Sequence, residues 1–97
     1  MFELEGLGKL LGDLGKVKEA LENLRVEVTE GPVSLMLNGF QETVRVRLGP
    51  EAAKEFPRLE AWLGACFNKG VVASRQAAKK EIERITGLNI PSIPGLI

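Results

Sequence analysis

Five basic residues, Lys69, Arg75, Lys79, Lys80 and Arg84, close a 97-residue chain in the company of only two acids, Glu81 and Glu83. That stretch sums to 5 − 2 = +3, and because the formal net charge is 0 the remainder carries −3. Arg75 and Lys79 are one helical turn apart, as are Lys80 and Arg84, and with Lys69 they fall on the half of a helix away from its apolar stripe. Lys9 and Lys16 flank Gly8, Gly12 and Gly15, whose missing side chains leave a face that another polymer's backbone can approach closely. Ammonium and guanidinium groups spaced in this way do one kind of chemistry well: charge-assisted hydrogen bonding to phosphate oxygens. The plain alternative is a solvated helix face, since single-sign stretches on helices are common. No aromatic residues interleave with the cations, so a duplex backbone fits better than stacked single strands.

Other chemistries find little support. Histidine is absent, which removes the commonest general base and the commonest metal ligand. The single cysteine, Cys66, can form no internal disulfide, lies within an apolar stripe and has no histidine to activate it, so it reads as core filling. Trp62 sits at the edge of the same stripe and reads as packing. Gly6-Leu7-Gly8-Lys9-Leu10-Leu11-Gly12 has a dinucleotide-like look, but its last glycine is one position late and no strand precedes it. The carboxylates are scattered, and none are paired for acid–base work. No metal, cofactor or enzymatic activity is expected. The apolar share of 44% and charged share of 27% belong to a globular chain, with no stretch long enough for a membrane span and no leader, so a cytoplasmic setting is expected.

The elements that must hold these groups can be read from periodicity, as a single domain over 1–97. Leu7, Leu10, Leu14, Val17, Leu21 and Leu24 are spaced three, four, three, four, three. They predict a first helix over 1–24 that expects a helical mate along its whole length, with Met1 to Gly6 fraying. A three-stranded antiparallel meander follows over 25–48. Val26 and Val28 alternate with Glu27 and Thr29, Glu30-Gly31-Pro32 turns, and Val33, Leu35 and Leu37 alternate with Ser34 and Met36. Asn38-Gly39 is a pair suited to a tight turn with positive φ at both positions. An even-length loop there returns Val44, Val46 and Leu48 to the same side as the first apolar set, leaving Arg45 and Arg47 on the other.

Gly49-Pro50 stops the sheet, and a long helix is predicted over 56–87, with Pro57 in its first turn and Gly87 ending it. Gly64, Gly70 and Val71-Val72 are soft points where it could kink. Residues 88–97 form an apolar tail punctuated by Pro91 and Pro94. A helix of about 30 residues spans about 45 Å, against about 20 Å for six-residue strands. The half bearing Ala77, Ile82 and Ile85 therefore overhangs its own sheet. With Leu7, Leu14 and Leu21 of the first seam, these residues are the candidate surface for pairing with a second copy.

The order of a leucine-seamed glycine-rich helix, Val26-Glu27-Val28, Gly31-Pro32-Val33-Ser34-Leu35-Met36-Leu37-Asn38-Gly39, Val44-Arg45-Val46-Arg47-Leu48 and a long helix resembles the YbaB/EbfC family of bacterial nucleoid-associated proteins. Ala65-Cys66-Phe67-Asn68 and Ile93-Pro94-Gly95-Leu96 are similar to motifs of that family. The resemblance spans nearly the whole chain. It implies an α+β, two-layer homodimer in the cytoplasm and nucleoid whose protruding helical arms hold double-stranded DNA, with DNA repair or recombination proteins as further partners. It also carries DNA contact onto Lys9, Lys16, Lys18, Arg75, Lys79, Lys80 and Arg84, to which the charge pattern adds Lys69. A rival from another class is a helical adaptor that recruits DNA repair or replication proteins and touches no nucleic acid itself.

Overall fold

A computed structural model describes residues 4–88, with the side chains of residues 4–7, 9 and 10 outside that description. The elements run α1 (Leu4–Asn23), β1 (Val26–Glu30), β2 (Val33–Leu37), β3 (Thr43–Leu48), α2 (Glu51–Lys54) and α3 (Phe56–Thr86). The class is α+β, and the helix, meander and long helix follow in the expected order. Helix α1 already includes Leu4 to Gly6, where fraying was expected. The apolar tail beyond Leu88 lies outside the described residues.

Alternation in the strands becomes a sheet in the order β1-β2-β3, antiparallel throughout. Val28, Val33, Leu35 and Leu37 point to one side and meet Cys66 of α3, with Leu59, Trp62, Leu63 and Ala73 packed around them. The first turn is the two-residue Gly31-Pro32, Glu30 facing Val33. Gly31 has φ 54, and Pro32 cannot take positive φ, so the turn has the type II′ pattern. A Cβ on Gly31 would stand 2.6 Å from the Trp62 indole, so both the turn and the helix above it require glycine there.

The second turn differs from the expected tight pair. Leu37 faces Thr43 across a five-residue loop, Asn38–Glu42, and positive φ occurs at Gln41 (φ 62) rather than at Asn38 or Gly39. An odd loop would send Val46 and Leu48 outward. A bulge at Val44 restores parity, because the register moves to Met36↔Arg45 and then Leu35↔Val46. Gly39 is small for a different reason from the one expected. Its Cβ would fall 2.9 Å from the Leu21 Cα, and its N–H donates to the Leu21 carbonyl at 2.8 Å, so the loop is seated directly on α1.

After β3 the chain makes one turn of helix, α2, which the sequence reading missed; it buries Ala52 and breaks at Glu55. Pro57 accounts for the break, since it has no N–H to give the Ala53 carbonyl and its ring would crowd that carbonyl in a continuous helix. Helix α3 then runs for 31 residues without a break at Gly64, Gly70 or Val71-Val72, ending at Gly87 in the left-handed conformation with its N–H on the Glu83 carbonyl. At 1.5 Å per residue that is about 46 Å. The whole measures 63 × 25 × 14 Å with a radius of gyration of 17.4 Å, against about 13 Å for a compact chain of this length. The predicted overhang is real.

Helix α1 covers part of it. Leu21 lies at the level of Ala78 and Ile82, and Lys16 at that of Arg84 and Ile85, so the two helices run antiparallel. Because α3 stops at Thr86, α1 has a helical neighbour only over its last turns. Leu11 and Leu14 are 60% and 54% exposed. The expectation of a mate along the whole seam fails within the described chain for that reason of length.

Candidate nucleic-acid interface

The contact between α1 and the distal half of α3 is the element that positions the cations. Arg75 and Arg84 are nine residues apart, which at 100° per residue is half a revolution, so they stand on opposite borders of that contact. On one border Arg75 and Lys79 line a recess of about 200 Å³ with Leu21, Gly39, Gln41, Ala78 and Ile82. On the other, Lys16 of α1 joins Arg84 along a groove of about 380 Å³ that also holds Glu19, Ala20, Asn23 and Ile85. The fold therefore brings Lys16 to Arg84, a juxtaposition of residues 68 positions apart that no local pattern could reveal. Lys80 is exposed between the two borders, and Lys18 is exposed on α1. Among the described residues, Lys16, Lys18, Arg75 and Lys80 have no carboxylate within ion-pair reach. The side chain of Lys9 lies outside the description.

Two of the sequence candidates are already engaged. Lys69 lies near the middle of α3 and donates to the Thr29 carbonyl at 3.1 Å and to Glu30 at 3.4 Å, closing the end of β1. Arg84 donates to the Glu81 carboxylate one turn away. That hydrogen bond holds the Glu81 carboxyl below its ordinary range and raises Arg84 further above its own. The Arg84 side chain is exposed and Glu81 only partly so, which leaves the guanidinium open to exchange with a stronger anion.

The loop between β2 and β3 fixes the base of this assembly, and the sequence reading missed it. Ser74, fully buried on α3, donates to the Asn38 carbonyl at 2.6 Å, while the Gln41 amide donates to the Gly39 carbonyl at 2.8 Å and to the Ser74 hydroxyl at 3.2 Å. The Asn38 side chain accepts from the Phe40 and Glu42 N–H groups and donates to the Glu42 carboxylate. These bonds over-determine the loop, which tolerates positive φ at the non-glycine Gln41. Read as sequence, Ser74 counts only as one more small residue of a stripe.

Of the candidate pairing residues, Leu14 is largely exposed, Leu21 is 7% exposed and packs within the chain, Ala77 is half-buried, and Ile82 and Ile85 are half-buried beside α1. The side chain of Leu7 lies outside the description. A larger apolar surface lies elsewhere. Helix α3 sits over β1 and β2, and not over β3. Val46 and Leu48 face the same side as their partners Leu35 and Val33, yet they are 48% and 53% exposed where those partners are 1% and 0%. Phe67 adds to this surface. It lies two residues before Lys69, about 200° round the helix from the flank that reaches β1, and is 40% exposed.

Among the described residues no cluster of acids or cysteine could hold a metal, and no helix is long and apolar enough to cross a membrane. The fold matches an uncharacterized protein of Helicobacter pylori with a TM-score of 0.70 at 19% identity, over 90% of this chain and 100% of that one. A nucleoid-associated protein of Synechococcus sp. (strain RCC307) is 34% identical over 92 residues, covering 86% of this chain and 78% of the relative. A nucleoid-associated protein of Myxococcus xanthus (strain DK1622) is 30% identical over 81 residues, covering 80% and 77%. The model of the YbaB/EbfC DNA-binding family matches residues 4–88, from the first turn of α1 to just past the end of α3, and the chain belongs to that family.

Proposed function

We infer that this chain is a non-enzymatic protein of the bacterial nucleoid that holds duplex DNA as a homodimer, mainly through phosphates and with low sequence preference. The observation that carries the reading is the placement of cations on both borders of the α1–α3 contact, on the part of the molecule that outreaches the sheet. Lys16, Lys18, Arg75 and Lys80 are available there, with Lys79 and Arg84 beside them. None of them is held in a shaped, buried site of the kind that base readout requires, whereas phosphate contact needs only exposed donors.

The sheet supports the pairing. A bare apolar face on β3 beside an edge with unpaired amides is a surface that monomers seldom leave open. A second copy laid against β3 covers Val46, Leu48 and Phe67 and leaves the overhanging helices of both copies free to flank a duplex.

Titration of the purified chain against random-sequence duplex at several salt concentrations tests the reading. Each neutralised phosphate releases counterion, so log affinity should fall linearly with log salt by about 0.9 per contact. Binding that ignores salt, or none at all, would leave the adaptor role as the better description. Sedimentation tests the pairing: wild type should run as a dimer and Val46→Glu as a monomer. A monomeric wild type refutes it.

A further inference from the structure

The face of the sheet turned away from α3 is covered by no layer of the described chain. Its strand residues are Glu27 and Thr29 on β1, Ser34 and Met36 on β2, and Arg45 and Arg47 on β3. Both arginines are exposed, and neither has a carboxylate within ion-pair reach among the described residues. Glu27 shares the row of Arg45 but stands two strand spacings away, about 10 Å. The Thr29 and Ser34 hydroxyls, 3.2 Å apart, lie in the row of Arg47; one donates to the other, which leaves one further phosphate-capable donor. The bulge at Val44 decides this arrangement, because without it both arginines would point to the helix side.

We propose that Arg45 and Arg47, with the Ser34 and Thr29 hydroxyls, form a second phosphate-binding surface, and that the protein thereby bridges two DNA duplexes. The cations of α1 and α3 lie on the helices that outreach the sheet and these guanidiniums on its open face, so the two groups form separate surfaces, each able to take a duplex backbone of its own. Guanidinium suits such a surface, because its planar fork matches phosphate oxygens and is never deprotonated. Charged side chains on an edge strand also deter stray pairing, but either sign of charge serves that end. The proposal rests on the reading that the helical side binds duplex.

The test immobilises one random-sequence duplex on beads and offers a second, fluorescent duplex with the full chain. Wild type should retain the fluorescent duplex at low salt. Arg45→Ala/Arg47→Ala should bind a single duplex within about twofold of wild type in a gel shift, while the salt slope of bridging falls by about 2 per protomer. Arg45→Lys/Arg47→Lys should restore much of the bridging. Met36→Glu leaves β3 untouched and brings negative charge between Glu27 and Arg45, so it should also suppress bridging, which keeps the test valid if the alanine variant fails to fold or pair. Wild-type binding without bridging, bridging unchanged in the alanine and Met36→Glu variants, or equal loss of single-duplex binding would each overturn the proposal. Absence of any wild-type binding would instead remove the reading beneath it.

Discussion

Replacing Gly39 by alanine adds one methyl group where the structure has no room for it. The new Cβ would stand 2.8 Å from Leu21 Cδ2, 2.9 Å from its Cα and 2.9 Å from its Cβ. The last two atoms cannot rotate away, so α1 itself must shift. Overpacking of this kind costs about 1–3 kcal/mol. The shift also stretches the 2.8 Å bond from the Gly39 N–H to the Leu21 carbonyl, for a further loss of about 0.5–1.5 kcal/mol. Gly39 is not at positive φ, so no backbone strain is added. The expected destabilisation is about 2–4 kcal/mol, and at about 4–8 °C per kcal/mol the melting midpoint should fall by at least about 8 °C. Gly64→Ala is the same chemical change on an exposed turn of α3 with nothing within 4 Å, and it should raise stability by about 0.5–1 kcal/mol. Calorimetry and helical ellipticity on the two variants give the comparison. A Gly39→Ala midpoint within about 2 °C of wild type, or shifts of the same sign in both, would refute the claim that the loop seats α1. Because α1 carries Lys16 to Arg84, DNA affinity should also fall in Gly39→Ala at temperatures where the variant remains folded.

Ser74→Ala removes the donor to the Asn38 carbonyl from a fully buried site and should cost about 1–3 kcal/mol, read as a lowered urea midpoint with an unchanged slope. Cys66 is fully buried, and burial, with the charge of Glu30 adding to it, pushes its thiol above the ordinary 9.0. A thiol-reactive dye at pH 8 should therefore label the chain only in denaturant. Since the folded value is raised, this group's contribution to stability holds below the ordinary value and is lost as pH climbs through the folded one, seen as a falling melting midpoint in alkali. Lys80→Ala should weaken binding to all duplexes alike and reduce the salt slope by about 1, while Lys69→Ala should leave the slope unchanged because its ammonium is held on Thr29 and Glu30.

What the sequence made legible was whatever depends on period. The 3.6-residue stripe, Pro57 and Gly87 located α3 closely, and alternation located all three strands and the buried face of β1 and β2. What escaped depended on distance in the chain. The pair Asn38-Gly39 carries a strong local turn signal, yet Gly39 is small because Leu21, 18 residues earlier, lies against it. The loop's odd length was invisible because the bulge at Val44 compensates for it, leaving the apolar pattern looking regular. The cations of α3 could be placed on the outer half of a helix, but Lys69 and Lys80 look alike there. Only the fold separates one that ties down β1 from one that is open to a ligand. The bare face of β3 escaped for a related reason: Val46 and Leu48 carry the same alternation as Leu35 and Val33, and no pattern states that α3 is too narrow to reach the third strand.

Trp62 is the chain's only tryptophan, and its ring rests where a Gly31 side chain would be. An intrinsic optical probe therefore sits at the seam between helix and first turn, about 27 Å along α3 from Lys80. Emission should track detachment of the helix from the sheet and stay blind to loosening farther out, whereas ellipticity, dominated by the two long helices, should sense both. Few side chains are buried in the outer region, which places it at the low end of local stability. Heating curves from the two signals should then diverge, with ellipticity leading, and the gap between them would measure how independently the extremities breathe.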